Sequence, residues 1–170
     1  MTDPEDTLPG VRLLTDAQMA SLAKRLAIEE GERLAAYLDT VGILTVGIGH
    51  NCKAKPVLGV DKAGDRITPE QEQELFAADV QEACKELDAY LPWWRDLDDG
   101  RQCVMLDLCF NMGIQTLMAF HHTLAHVKAG IDDSAFYATA ADDLQHSAWH
   151  AQVKGRAVFL EGAMRTGSYA

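Results

Sequence analysis

Three residues in the first third of this 170-residue chain have the types and spacing that acid–base chemistry needs: Glu30, Asp39 and Thr45. Thr15 and Gln18 form a capping box, and Met19, Leu22 and Leu26 follow on one helical face with Ala23 and Ala27 beside them. Gly31 is the expected stop, so Glu30 is the last residue of a helix. There the macrodipole is negative and a cation is favoured. Glu29 adds like-charge repulsion, and both effects favour the protonated carboxyl. A carboxylic acid that keeps its proton near neutral pH is what general acid catalysis requires. An isolated glutamate here reads more simply as a solvated surface group, and the residues that follow decide between the two.

After Leu34 the period changes. Leu44, Val46 and Ile48 alternate with Thr45, Gly47 and Gly49, a strand pattern, and Asp39-Thr40-Val41-Gly42 reads as the turn before it. One face is aliphatic, and the other presents a hydroxyl and then two positions without side chains, leaving room for a ligand to approach the backbone. An acid, a second carboxylate and a hydroxyl thus surround a glycine-cleared surface. A glycosidase needs two carboxyl groups flanking the scissile bond, and the hydroxyl can hold a water beside the second.

The rest of the chain supplies helices to carry this constellation. Residues 51–67, rich in Lys, Gly, Pro and Asp, read as a loop. Thr68-Pro69-Glu70-Gln71 combines a capping box with proline at the first helical position. Phe76, Val80, Ala83 and Leu87 continue an apolar stripe, flanked by Leu75 and Cys84, as far as Pro92. The stretch 101–112 is apolar nearly all round and reads as a buried central helix ending at Gly113. Shorter helices are expected near 116–129, 133–147 and 154–163, separated by Gly130 and the region around Trp149. The fold class is α+β and mostly helical: a small α/β lobe, a long connecting helix and a helical lobe. Residues 1–14 read as an arm and 15–170 as one domain, with the small lobe over 15–68 and the helices over 69–170.

Glu30-Gly31-Glu32-Arg33-Leu34, Tyr37-Leu38-Asp39-Thr40-Val41-Gly42 and Leu44-Thr45-Val46-Gly47-Ile48-Gly49-His50 resemble the catalytic segment of the phage-type lysozymes, glycoside hydrolase family 24. The pattern of Glu, eight residues, Asp, five residues, Thr, then Gly-Ile-Gly-His is specific. The likeness continues through Ile67-Thr68, Leu75-Phe76 and Asp79-Val80. It resumes at Phe110-Asn111-Met112-Gly113, Trp149, Arg156 and Arg165-Thr166-Gly167.

The resemblance implies a lysozyme-like fold and hydrolysis of the β-1,4 bond between N-acetylmuramic acid and N-acetylglucosamine, with inversion at the anomeric carbon. It implies Glu30 as the general acid, Asp39 as the carboxylate that orients water and stabilises the cationic transition state, and Thr45 as the hydroxyl that positions that water. His50 and Asp79 match an ion pair tying the strand to the long helix. Gly47, Gly49 and Asn111 fall among the cleft and supporting positions, and Arg156 matches an arginine that contacts the catalytic glutamate. Such an arginine lowers the acid's pKa while the dipole and Glu29 raise it. Two other readings stand beside the hydrolase. One is a lytic transglycosylase, which needs the acid alone. The other is a non-catalytic peptidoglycan-binding or structural relative that kept the fold.

The net charge of −11 and the pI near 4.8 argue against a nucleic-acid partner and against steering onto anionic surfaces. No apolar run is long enough to span a bilayer, so no stable membrane insertion is expected. The acidic, proline-containing opening is not a secretory signal. Synthesis in the host cytoplasm is expected, with action on the cell wall after holin-type release or delivery by a particle. The expected partner is the peptidoglycan glycan strand, the expected state a monomer, and neither cofactor nor metal is implied.

His122 with His126, and His146 with His150, are spaced like zinc ligands but lack a third convergent group, so surface histidines are the simpler reading. Trp93 and Trp94 suit sugar stacking, though packing is favoured for at least one. Asp98-Asp99, Asp132-Asp133 and Asp142-Asp143 read as helix starts and solvated faces. Cys52, Cys84, Cys103 and Cys109 show no paired spacing and read as reduced, buried thiols.

Overall fold

The computed structural model describes residues 14–39 and 41–170, the side chains of Glu30 and Glu32 excepted. The expected arm lies outside the described residues apart from Leu14, which packs against the core.

Helix α1 runs Asp16–Glu30, and its capping box is reciprocal: Thr15 Oγ1 accepts from the Gln18 amide while Gln18 Oε1 accepts from the Thr15 amide. A three-stranded antiparallel sheet follows, with β1 at Glu32–Leu38, β2 at Leu44–Ile48 and β3 at His50–Asn51, in that order across the sheet. Leu38 stands opposite Leu44 and Glu32 opposite Ile48, with a register shift between Arg33 and Tyr37. That irregularity is why β1 shows no clean alternation in the sequence, whereas β2 does. Ala36, Val46, Cys52, Val60 and Ile67 close a small core under the sheet and the loop that follows it.

Helix α2, Pro69–Tyr90, starts at the second capping box and carries Phe76, Val80, Ala83, Cys84 and Leu87 into the main core. A 3₁₀ helix at Pro92–Asp96 buries Trp94 completely, its indole N–H donating to Asp88 at 2.7 Å, while Trp93 packs at the core's edge. Helix α3, Asp99–Met112, opens on an Asp98 cap and is buried continuously from Arg101 to Cys109. Around it lie α4 (Ile114–Met118), α5 (His121–Ala129), α6 (Phe136–Gln145), α7 (Ala148–Val153) and α8 (Gly155–Thr166).

Two of these depart from expectation. The segment expected as one helix over 116–129 is broken at Ala119-Phe120 into α4 and α5. The region around Trp149, expected as a separator, is itself helical, because Ser147 accepts from the His150 amide and starts α7. His146 and His150 therefore do not share a helix. His150 pairs with Glu161, and His126 with Asp143.

Although α1 precedes the sheet in the chain, it packs with the helices: Leu22 and Leu26 are wholly buried in the main core. Gln18 reaches Gln102 on α3 at 3.1 Å. The start of α3 also meets the end of α8. Arg101 donates from Nε to the Met164 carbonyl at 2.8 Å and from Nη2 to the Arg165 carbonyl at 2.9 Å. Those are carbonyls of the last turn of α8, which lack intrahelical partners. The approach is so close that a β-carbon on Gly100 would sit 1.8 Å from the Gly167 carbonyl oxygen. Among the described residues, no helix is long and apolar enough to cross a membrane.

Candidate active site

The turn between β1 and β2 is built around one carboxylate. Asp39 Oδ1 accepts from the Val41 amide at 2.9 Å and the Ile43 amide at 2.8 Å, while the Asp39 amide donates to the Ile43 carbonyl. An aspartate that bonds its own turn in this way fixes the orientation of its carboxyl group. Oδ2 accepts no hydrogen bond among the described residues, and the side chain is half-buried. Thr45, on β2, donates from Oγ1 to the Ile43 carbonyl at 3.1 Å. Asp39 and Thr45 are thus both anchored to Ile43, one at its N–H and the other at its C=O. Thr40 lies outside the described residues.

Glu30 closes α1, and Gly31 takes a positive φ of 75° that turns the chain from helix into β1. The backbone placement is therefore that of a carboxyl-bearing residue at the negative end of a helix. Its side chain lies outside the described residues.

Gly47 has another use than the one expected. A β-carbon there would sit 3.3 Å from Glu72 Cγ and 3.6 Å from Ile67 Cδ1, so the missing side chain leaves room for α2 and the preceding loop, not for an incoming ligand. Glu72 is 4% exposed and was not singled out from the sequence, since it reads as one more charge in the polar first turns of α2. Gly47 also needs its positive φ of 63°.

The next residues join the sheet to the long helix. His50 Nδ1 lies 2.7 Å from Asp79 Oδ2, and Nε2 lies 3.0 Å from the Lys55 carbonyl. Both neighbours accept, so the site favours a proton on each ring nitrogen. The bond to Asp79 raises the His50 pKa against the lowering effect of burial. Burial pushes the Asp79 carboxyl up, but His50 and Lys55 outweigh it and hold the group below its usual range.

Beside this pair, a cleft of about 410 Å³ runs between the sheet and α2–α4, lined among others by Gly49, Asn51, Glu82, Glu86, Phe110 and Gly113. Asn111 Oδ1, one residue from Phe110, accepts from the Trp149 indole at 2.8 Å.

Arg156 is 5% exposed, and its Nε donates to Asp107 Oδ1 at 2.8 Å. Tyr169 donates its hydroxyl to the other oxygen of Asp107. Neither Asp107 nor Tyr169 stands out in the sequence. Asp107 is a single acid inside an apolar run, and its partners lie 49 and 62 positions away. The structure therefore pairs His50 with Asp79 and anchors Asp39 and Thr45 to the same residue, Ile43, while Asn111 and Arg156 each hold partners of their own in the helical lobe. Among the described residues, no three His, Cys, Asp or Glu side chains converge as a metal site.

The chain is 29% identical over 166 residues to the pre-baseplate central spike protein Gp5 of Enterobacteria phage T4, a match covering 87% of this chain and 28% of that protein. It therefore spans little more than a quarter of the spike protein's length. It is 25% identical over 169 residues to the probable T4-type lysozyme 1 of Dictyostelium discoideum, covering 88% of this chain and 96% of the relative. A 58-residue segment is 50% identical to the endolysin of Salmonella phage P22, over 34% of this chain and 38% of that protein. Residues 27–165 match the phage lysozyme family, a span that takes in the β1–β2 turn, the cleft and all but the last residue of α8. With its small antiparallel sheet, long connecting helix and helical lobe, the chain belongs to the phage lysozyme family.

Proposed function

We propose that this chain is a muramidase, hydrolysing the β-1,4 bond between N-acetylmuramic acid and N-acetylglucosamine in bacterial peptidoglycan. The observation that carries the reading is the Asp39 carboxylate. One oxygen is locked by two amides of its own turn, the other accepts no hydrogen bond among the described residues, and Thr45 is anchored through Ile43, which supplies one of those amides. Glu30, at the end of α1, protonates the departing glycosidic oxygen. Asp39 orients a water on the opposite face of the sugar and stabilises the oxocarbenium-like transition state, and Thr45 helps hold that water. This arrangement inverts the anomeric centre, for which the carboxyl groups stand about 6.5–9.5 Å apart. The cleft beside Gly49 and Phe110 takes the glycan strand, with Asn111 and Trp149 supporting one wall.

The likeness to a spike protein of which this fold makes up only a part favours a second reading of the setting. The domain works where a particle delivers it, at high local concentration, or it serves there as a structural element without turnover. Holin-type release into the periplasm is the alternative route. The test is a turbidity assay on purified peptidoglycan with wild type and Glu30→Gln, followed by analysis of the released sugars. Reducing muramic acid ends, lost in the variant, are the expected result. Anhydro ends assign the chain to the lytic transglycosylases instead. A folded wild type that releases nothing assigns it a structural role.

A further inference from the structure

The polar cluster buried most deeply in the helical lobe is one that a packing role alone does not explain. Asp107 on α3 is fully buried, and Arg156 and Tyr169 are each 5% exposed. Arg156 donates to one carboxylate oxygen at 2.8 Å and Tyr169 to the other. Three groups from α3, α8 and the segment after α8 are thereby locked to one another. Burying a guanidinium and a carboxylate carries a large desolvation cost, and a well-packed apolar trio in the same place is commonly as stable or more so.

Where the cluster lies gives it a use. Ala17 and Ser21, early on α1, line a cavity together with Ser168, Tyr169 and Ala170. Further along α1, the Arg25 guanidinium stacks 3.8 Å over the Phe159 ring, and Ile28 shares a cavity with Phe159. Advancing along α1 therefore means moving backward along α8, so the two run antiparallel. One further turn on each brings the end of α1, where Glu30 stands, level with the start of α8, where Arg156 stands.

We infer that Asp107 and Tyr169 are positioning residues for the proposed reaction: they hold Arg156 at the end of α1 with its charge already half-engaged. The inference rests on the reading of Glu30 as the acid. A free arginine beside that residue would hold the carboxyl ionised and useless as an acid at neutral pH. An absent one would leave the glycosidic oxygen and the carboxylate formed after proton transfer without a fixed cation. Asp107 sets the balance between these, because its carboxylate neutralises part of the Arg156 charge while fixing the direction of the guanidinium. Tyr169 stays a donor to Asp107 at all relevant pH values, because burial and the neighbouring carboxylate push its phenol far up. The titratable groups around Asp107 are Arg156 from α8, Tyr169 from the tail and Cys103 one turn back on α3. Near the end of α1, Glu29 is paired with Arg25.

The experiment compares wild type, Asp107→Asn, Tyr169→Phe and Arg101→Gln for kcat, KM and the pH–rate profile on purified peptidoglycan. Each is measured well below its own melting temperature. Asp107→Asn keeps the shape but removes the negative charge, so Arg156 acts undiluted on the acid. The alkaline limb of the profile is expected to move to lower pH and kcat at pH 7 to fall about tenfold for each unit of that move, with KM nearly unchanged. Tyr169→Phe removes only a donor and serves if Asp107→Asn does not fold; a kcat loss of about threefold with unchanged KM is expected. Arg101→Gln breaks another buried α3–α8 link at the far end, and is expected to lower the melting temperature while leaving kcat and the pH profile alone. A folded Asp107→Asn enzyme with the wild-type profile and kcat overturns the inference and leaves the muramidase reading standing. An inactive wild type, or a fully active Glu30→Gln, overturns both.

Discussion

Replacing Gly100 by alanine should reverse the usual sign of a glycine substitution in a helix. Elsewhere in a helix, Gly→Ala stabilises by about 0.5–1 kcal/mol by restricting the unfolded chain. Here the new methyl would lie 1.8 Å from the Gly167 carbonyl oxygen and 2.6 Å from its carbon, both backbone atoms. An ordinary contact needs about 3.5 Å, so α3 and the end of α8 must part by roughly 1.5–2 Å. That movement stretches both Arg101 bonds, now 2.8 and 2.9 Å to Met164 and Arg165, beyond useful length. A hydrogen bond from a charged donor contributes about 1.5–3 kcal/mol. Losing one to two of them, less the helix gain, leaves a net destabilisation of about 3 kcal/mol. For a chain of this size that lowers the melting temperature by about 6–12 °C. Gly162 is the control, since it lies inside α8 with nothing within 4 Å of a β-carbon; Gly162→Ala should raise the melting temperature by about 2 °C. Calorimetry and urea titration of both variants provide the measurement. A Gly100→Ala protein that melts with or above the wild type refutes the reasoning.

Three further expectations concern charge and chemistry. Burial pushes Cys84 up to about 11 and Cys103 and Cys109 up to about 12, so native protein should ignore a thiol reagent at pH 8 and release all four equivalents only on denaturation; prompt labelling of the native state contradicts this. His50 is raised in the fold, so its contribution to stability is complete below about pH 6.5 and disappears as pH climbs through the higher folded value. Asp79 is lowered, so its share is present above about pH 3.8 and goes as pH falls further. His50→Gln should cost about 2–3 kcal/mol inside that window and little above it, read from denaturant titrations across pH; an equal cost at all pH values rules the pair out as the source. On the muramidase reading, a net charge of −11 leaves no attraction to an anionic wall to steer the encounter, so added salt should change the lysis rate by less than about twofold, and a steep fall would show otherwise.

What was legible in the sequence was what is local. Thr15 with Gln18, Thr68 with Gln71, and Asp98 each announce a helix start because the cap and its amide are three residues apart. Ser147 carried the same signal for α7 and was masked by the reading of Trp149 as a boundary. The break at Ala119-Phe120 left no mark, since neither residue disfavours a helix on its own. Asp39 follows β1 at the turn and Thr45 lies on the strand as their spacing implies, but the face read as open is not: Thr45 is buried. The use of Gly47 could not be read, because Glu72 reaches it from another element. Asp107 was invisible for the same reason: its meaning depends on Arg156 and Tyr169, which only the folded chain brings near.

The packing of α1 against α3 and α8 also dictates an order of events. A ribosome makes this helix before the sheet, yet Gln18 meets Gln102 across 84 residues of chain, and Arg25 and Ser21 wait longer still for Phe159 and Tyr169. Until α8 emerges, the apolar face of α1 has no complete seat, and the sheet with its own small core can close first. The helix that ends at Glu30 is thus made before the partners that secure it. Long-range closure of this kind slows folding. It also ties the end of α1, and the residue it carries, to the arrival of α8, so a product cut before α8 would hold the sheet but leave α1 without its full seat.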